Sequence, residues 1–199
     1  MSRQGRAAAA MRPLSVGPDG WLAGIEHQRS PNFDARPVDA GVELIVVHNI
    51  SLPPGRYGQG HVARLFTNAL DFDADPFFDQ IGSARVSAHL LIERDGRLFQ
   101  FVSLLDRAWH AGDSKFEGRP RCNDFSVGIE LEGTDFEPFT EAQYESLGAA
   151  VAAIVAAYPI RAVRGHNDIA PGRKTDPGPF FDWHRIQVPS GVSLPRPII

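Results

Sequence analysis

The sequence predicts an α/β fold of the α+β kind, a central mixed β-sheet flanked by helices, and three observations carry that reading. Two apolar runs, VELIVVH at 42–48 and FSVGIEL at 125–131, have the composition of buried strands. Asp95-Gly96 splits residues 87–103 into two apolar stretches, a strong hairpin signal. Residues 140–158 repeat Ala, Leu, Val and Ile at helical intervals. The resulting order is strand, helix, hairpin, strand, helix, strand.

The first forty residues are rich in Pro, Gly and Arg and should wrap the surface with little regular structure. Arg3 and Arg6 precede a five-residue apolar run, 7–11, that Arg12 and Pro13 end. A secretory signal needs roughly seven to fifteen apolar residues. Residues 1–13 therefore read as a disordered extension, 14–199 as one domain, and the cytoplasm as the expected location. After the strand at 42–48, SLPPGRYGQG (51–60) is a Pro/Gly-rich loop of the kind that often carries function, and 62–70 is helical. In 125–131 the residues Phe125, Val127, Ile129 and Leu131 share one face, and Ser126, Gly128 and Glu130 the other. Thr140 and Gln143 have capping-box spacing at the start of the long helix, and Pro159 follows its end. A short strand at 161–165, a polar loop with three prolines at 166–179 and a final helical turn at 180–186 complete the chain.

The chain has 199 residues, enough for a core without disulfides, and a formal net charge of -4, which argues against nucleic acid as a partner. Cys122 is the single cysteine, so no internal disulfide and no four-cysteine zinc site can form. No segment is long and apolar enough to span a bilayer, and no membrane partner is expected.

His48 and His166 sit at the ends of predicted strands, and Asp176 lies in the loop Lys174-Thr-Asp-Pro-Gly. Two imidazoles and a carboxylate can hold a catalytic zinc with the fourth position open. The chain has seven histidines, however, and these three residues are far apart in sequence, so spacing alone does not select them. Glu130, on the polar face of its strand, has the right type for a general base. Glu132 has the same parity, and alternation leaves the two equivalent; a salt-bridged surface glutamate is the plain alternative for either. Lys174 could stabilise an oxyanion or be an ordinary exposed lysine. Arg85, Arg119 and Arg121 could bind substrate carboxylates or serve solubility, and Trp109 could be a sugar platform or core. His89, between apolar neighbours, reads as a hydrogen-bonded core histidine, and His27, His61 and His184 as surface residues.

Taken together, the blocks VVHNISLPPG, RVSAHLLIERDG, RAWHAG, RCNDFSVGIELEGTD, GHNDIAPGRKTDPGP and FDW resemble the zinc N-acetylmuramoyl-L-alanine amidases, in their cytoplasmic anhydro-muramyl-peptide branch. The resemblance covers residues 21–185, with the blocks in the family's order. It implies a sheet shared with peptidoglycan recognition proteins, a Zn2+ cofactor held by His48, His166 and Asp176, Glu130 as catalytic acid and base, and Lys174 beside it. It further implies that Asn49, Arg85, Trp109 and Arg121 hold an anhydro-muramyl peptide and that the protein serves peptidoglycan recycling; a monomer is expected, although the sequence itself does not give the oligomeric state. Two rivals stand beside it: a non-catalytic peptidoglycan-binding module, and a lytic amidase acting on intact cell wall.

Overall fold

In a computed structural model describing residues 13–195, the chain forms short strands and helices in the following order. Strands β1 (Glu26–His27), β2 (Phe33–Ala35) and β3 (Leu44–Ile50) precede helices α1 (His61–Phe66) and α2 (Phe78–Ile81). Strands β4 (Leu90–Ile92), β5 (Leu98–Gln100), β6 (Asp106–Ala108), β7 (Lys115–Phe116), β8 (Arg119–Pro120) and β9 (Ser126–Glu132) follow. The long helix α3 (Glu141–Ala157), strand β10 (Ala162–Gly165) and the single turn α4 (His166–Ile169) come last. Of the extension expected at residues 1–13, all but Pro13 lies outside the described residues.

Six strands make one mixed sheet in the order β1-β5-β4-β9-β3-β10, with β4, β9, β3 and β10 parallel to one another, β4 and β5 the antiparallel hairpin, and β1 parallel to β5. The expected class is therefore the observed one. Alternation assigns the faces. Ile45 and Val47 of β3, Val127, Ile129 and Leu131 of β9, and Leu90 and Ile92 of β4 pack with Leu147, Val151 and Ile154 of α3. The opposite face carries Leu91 and Phe99 against α1 and α2, and Leu44 and Val46 against Ile169 of α4. Because helices and loops cover both faces, β9 is buried along its whole length. Its polar residues thus point into protein.

The capping box is present: Thr140 Oγ1 accepts from the Gln143 N–H (3.1 Å) and Gln143 Oε1 from the Thr140 N–H (3.1 Å). Such a cap contributes about 1 kcal/mol. Gln143 Nε2 also donates to the Glu132 carbonyl at 2.9 Å, pinning the helix start to the end of β9.

Several boundaries differ from expectation. Helix α1 stops at Phe66, since Asn68 takes a left-handed φ of 58° and the Ala69 N–H closes onto Arg64 O at 2.8 Å. Residues 166–179 begin with the helical turn α4, nucleated where Asp168 Oδ2 accepts from the Gly165 N–H at 2.7 Å. The closing turn narrows to a 3-10 turn at Trp183–Arg185. Strands β1, β2, β6, β7 and β8 have two or three residues each, too few for any periodicity. Among the described residues no helix is long and apolar enough to cross a membrane.

The sheet sets the site. Register pairs His48 of β3 with Glu130 of β9 on one side, and Val47 with Gly165, the last residue of β10, on the other. The C-terminal ends of three parallel strands thus open at one edge, where α/β sheets commonly bind ligands.

Candidate metal centre

Strand β3 delivers His48, and His166 follows directly on β10, so adjacent parallel strands bring residues 118 apart in sequence into contact. Asp176 arrives from the Pro-rich loop, whose main chain is tied back by the Asn167 N–H donating to Asp176 O at 3.0 Å. That loop presses on Gly165: a Cβ there would lie 2.2 Å from Asn167 Oδ1 and 2.8 Å from Pro177 Cδ, so only glycine admits it.

The ligating atoms face one another. His48 Nδ1 lies 3.0 Å from His166 Nδ1 and 2.9 Å from Asp176 Oδ2, and His166 Nδ1 lies 3.1 Å from that oxygen. Tetrahedral zinc with bonds near 2.0–2.1 Å separates its ligand atoms by roughly 3.3 Å, a few tenths of an ångström more than this triangle. These three residues form the cluster of possible metal ligands among the described residues. The outer nitrogens agree with that use. His166 Nε2 donates to Ala111 O at 3.0 Å, which leaves Nδ1 as a bare lone pair. The donor set therefore fits a divalent cation: two buried imidazoles and one carboxylate, all turned inward.

Burial lowers the pKa of His48 despite the hydrogen bond and charge of Asp176, so the ring tends to its neutral, ligating form. Burial alone would raise the Asp176 carboxyl, but the close approach of the His166 and His48 imidazoles outweighs it and holds the group below the usual carboxylate range.

Structure separates the two glutamates that alternation could not. Glu132 Oε1 accepts from the Gly58 N–H at 2.7 Å and Oε2 from the Arg94 N–H at 3.4 Å, so its carboxylate fastens loops. Glu130 is 8% exposed, and its Oε2 has no hydrogen-bond partner among the described residues. Burial and the charge of Asp176 push its pKa well above the ordinary value, while the ammonium of Lys174 opposes them. Lys174 is exposed, yet near enough to act on both Glu130 and His48.

The residues expected to hold substrate are dispersed. Asn49 lines a cavity of about 540 Å³ with Ser51, Pro54, Thr134 and Phe136, and its Nδ2 donates to Asp135 Oδ1 at 2.7 Å. Trp109 is half-buried, its indole N–H donating to Asp34 Oδ2 at 2.8 Å. Arg121 is 69% exposed and pairs with Asp124 at 3.1 Å. Arg119 stacks on Phe125 and pairs with Glu43. Arg85 lines a separate cavity of about 450 Å³ beside Leu65, Asn68 and Phe72, to which no residue of the triangle contributes.

Sequence reading gave no role to His110, which touches His48 Nε2 at 2.9 Å, or to Asn123, whose Oδ1 accepts from the N–H groups of His110 (3.2 Å) and Ala111 (2.8 Å). One signal was available: a glycine inside a buried strand, Gly128, marks the close approach of another group.

His89 is the core histidine expected. It is fully buried, accepts at Nδ1 from the Gly128 N–H (3.0 Å) and meets Asp106 O at Nε2 (3.1 Å). Burial and the neighbouring Arg36 guanidinium hold its pKa down to about 3 against an ordinary 6.5. Between those values the unfolded chain binds a proton that the folded protein refuses. Stability is complete above pH 6.5 and falls as pH drops through the window, by up to about 1.4 kcal/mol per pH unit. Denaturant titrations at descending pH should give His89→Gln a shallower loss than the wild type, by one proton's worth; equal slopes would remove His89 from the acid response.

A family model described as N-acetylmuramoyl-L-alanine amidase matches residues 37–179. The chain is 54% identical over 171 residues to the 1,6-anhydro-N-acetylmuramyl-L-alanine amidase AmpD of Escherichia coli (strain K12), with 85% of this chain and 93% of that one covered. A crystal structure of a selenomethionine AmpD derivative aligns with a TM-score of 0.82 at 54% identity, covering 84% of this chain and 94% of that one. The E. coli amidase AmiD, solved with anhydro-N-acetylmuramic acid-L-Ala-D-gamma-Glu-L-Lys, aligns at 29% identity with a TM-score of 0.54, covering 87% and 64%.

Proposed function

The chain belongs to the N-acetylmuramoyl-L-alanine amidase family, and from that membership we propose that it is a zinc-dependent hydrolase of cytosolic peptidoglycan recycling, cutting the amide between the lactyl group of 1,6-anhydro-N-acetylmuramic acid and L-alanine. The observation that carries the metal part is the convergence of His48 Nδ1, His166 Nδ1 and Asp176 Oδ2 within about 3 Å of one another.

His48, His166 and Asp176 would hold the zinc, which when bound supplies Lewis acidity: it activates water near neutral pH and polarises the carbonyl. Glu130, facing His48 across the sheet, takes a proton from the attacking water. A divalent cation in the triangle acts on Glu130 in the same sense as Lys174, favouring the carboxylate that this step needs. Lys174 faces the oxygen on which negative charge develops. Glu130 then returns its proton to the departing alanine nitrogen. One water and one amide become a lactyl carboxylic acid and a peptide with a free amino terminus.

Asn49, Trp109, Arg85 and Arg121 orient the sugar and peptide in this reading. Asn49 and Arg121 would exchange their bonds to Asp135 and Asp124 for bonds to substrate. The protein acts as a monomer on a soluble fragment.

The test uses metal-stripped protein with a soluble anhydro-muramyl tripeptide and, separately, with intact sacculi. Returning zinc should release peptide from the soluble substrate and leave sacculi whole. Retention of the muropeptide without cleavage would indicate a binding module, and solubilised sacculi a wall-lytic enzyme.

A further inference from the structure

We infer that His110 is a positioning residue that, through a relay from His48 to Ser126, supplies the acceptor required by the His48 tautomer able to ligate a metal. The inference rests on the reading of His48 as a metal ligand.

A neutral imidazole carries one proton. For His48 Nδ1 to offer its lone pair to the triangle, that proton must sit on Nε2, where, inside the protein, it needs an acceptor. The atom in place is His110 Nδ1, at 2.9 Å. His110 can accept there only if its own proton is on Nε2, and that nitrogen lies 3.1 Å from Ser126 Oγ. With a metal in the triangle the direction is therefore forced: His48 donates to His110, and His110 to Ser126. Run backwards, the chain moves the proton to His48 Nδ1, where it donates to Asp176 Oδ2 at 2.9 Å and blocks coordination. The relay thus has one metal-binding setting and one metal-free setting.

Its parts are held firmly. Ser126 belongs to β9, and its carbonyl accepts from Arg36 Nη2 at 2.8 Å. The His110 ring meets His48 and His89 edge-on, with centroids 5.0 and 5.7 Å away. Gly128 makes the room: a Cβ there would fall 2.4 Å from His110 Cγ. The next residue repeats the task for the other imidazole, since Ala111 O accepts from His166 Nε2 at 3.0 Å. One dipeptide, anchored by Asn123 Oδ1, supplies the acceptor behind both histidines of the triangle.

The experiment measures zinc affinity by chelator competition at one pH. His110→Phe keeps a ring but offers no acceptor, and should weaken zinc roughly 10- to 100-fold, the usual cost of losing such an outer partner. His110→Asn places an amide oxygen where Nδ1 stood and should recover most of that loss. A packing role predicts the opposite order, with Phe the better replacement. If His110→Phe does not fold, nitrogen NMR of zinc-loaded wild type decides: the His48 proton should sit on Nε2, with coupling across the bond to His110 Nδ1. Wild-type affinity in the Phe variant, or a proton on His110 Nδ1 in the loaded protein, would overturn the inference. A wild type that binds no zinc would instead overturn the metal reading beneath it.

Discussion

His166→Ala should lose bound metal and amidase activity together. Two ligands remain after the substitution, and a site of two ligands with a vacant third corner no longer holds zinc as a catalytic three-ligand site does. Metal content should drop from about one ion per chain towards none, and hydrolysis with it. The fold should survive, because β10 ends before His166 and its pairing with β3 does not use the imidazole. Metal analysis after gel filtration, beside a peptide-release assay and a circular dichroism spectrum, checks all three. A variant that keeps its metal, or one that keeps activity without it, would place the chemistry elsewhere.

Glu130→Ala should keep the metal and lose turnover. General acid–base catalysis by one side chain typically contributes 10²–10⁴-fold, or about 3–5 kcal/mol of barrier, and in the proposed mechanism the same carboxyl serves both proton transfers. Glu130 makes none of the contacts within the triangle, so zinc stoichiometry should stay at the wild-type level. Stability gives a second check. The carboxyl is buried with an oxygen that has no partner among the described residues, an arrangement that costs folding free energy. The isosteric Glu130→Gln should therefore be at least as stable as the wild type while equally inactive. Steady-state rates, zinc content and thermal melts on both variants test this; hydrolysis at the parent rate would displace Glu130 as the base.

The sheet could be read where one element carried enough pattern. The VELIVVH run became β3, FSVGIEL became β9, and the Thr140–Gln143 box opened α3 as its spacing required. Elements whose existence depends on a distant partner could not be read. Strand β2 is exposed throughout and exists only because Phe33–Ala35 pairs with Asp106–Ala108. The candidate site divides in the same way. His48 and His166 stood out as histidines near strand ends, but only the parallel register of β3 and β10 joins them. The equivalence of Glu130 and Glu132 is broken by the Gly58 and Arg94 amides, which arrive from loops remote in sequence. His110 needed both that register and the gap at Gly128 before any role could be seen.

The proposed chemistry depends on a metal between three inward-facing atoms. Crystals of the protein grown with zinc should give, at the zinc absorption edge, one strong anomalous peak roughly 2.0–2.2 Å from His48 Nδ1, His166 Nδ1 and an Asp176 carboxylate oxygen. Fully occupied crystals with no peak there, or with the peak on other side chains, would contradict the account.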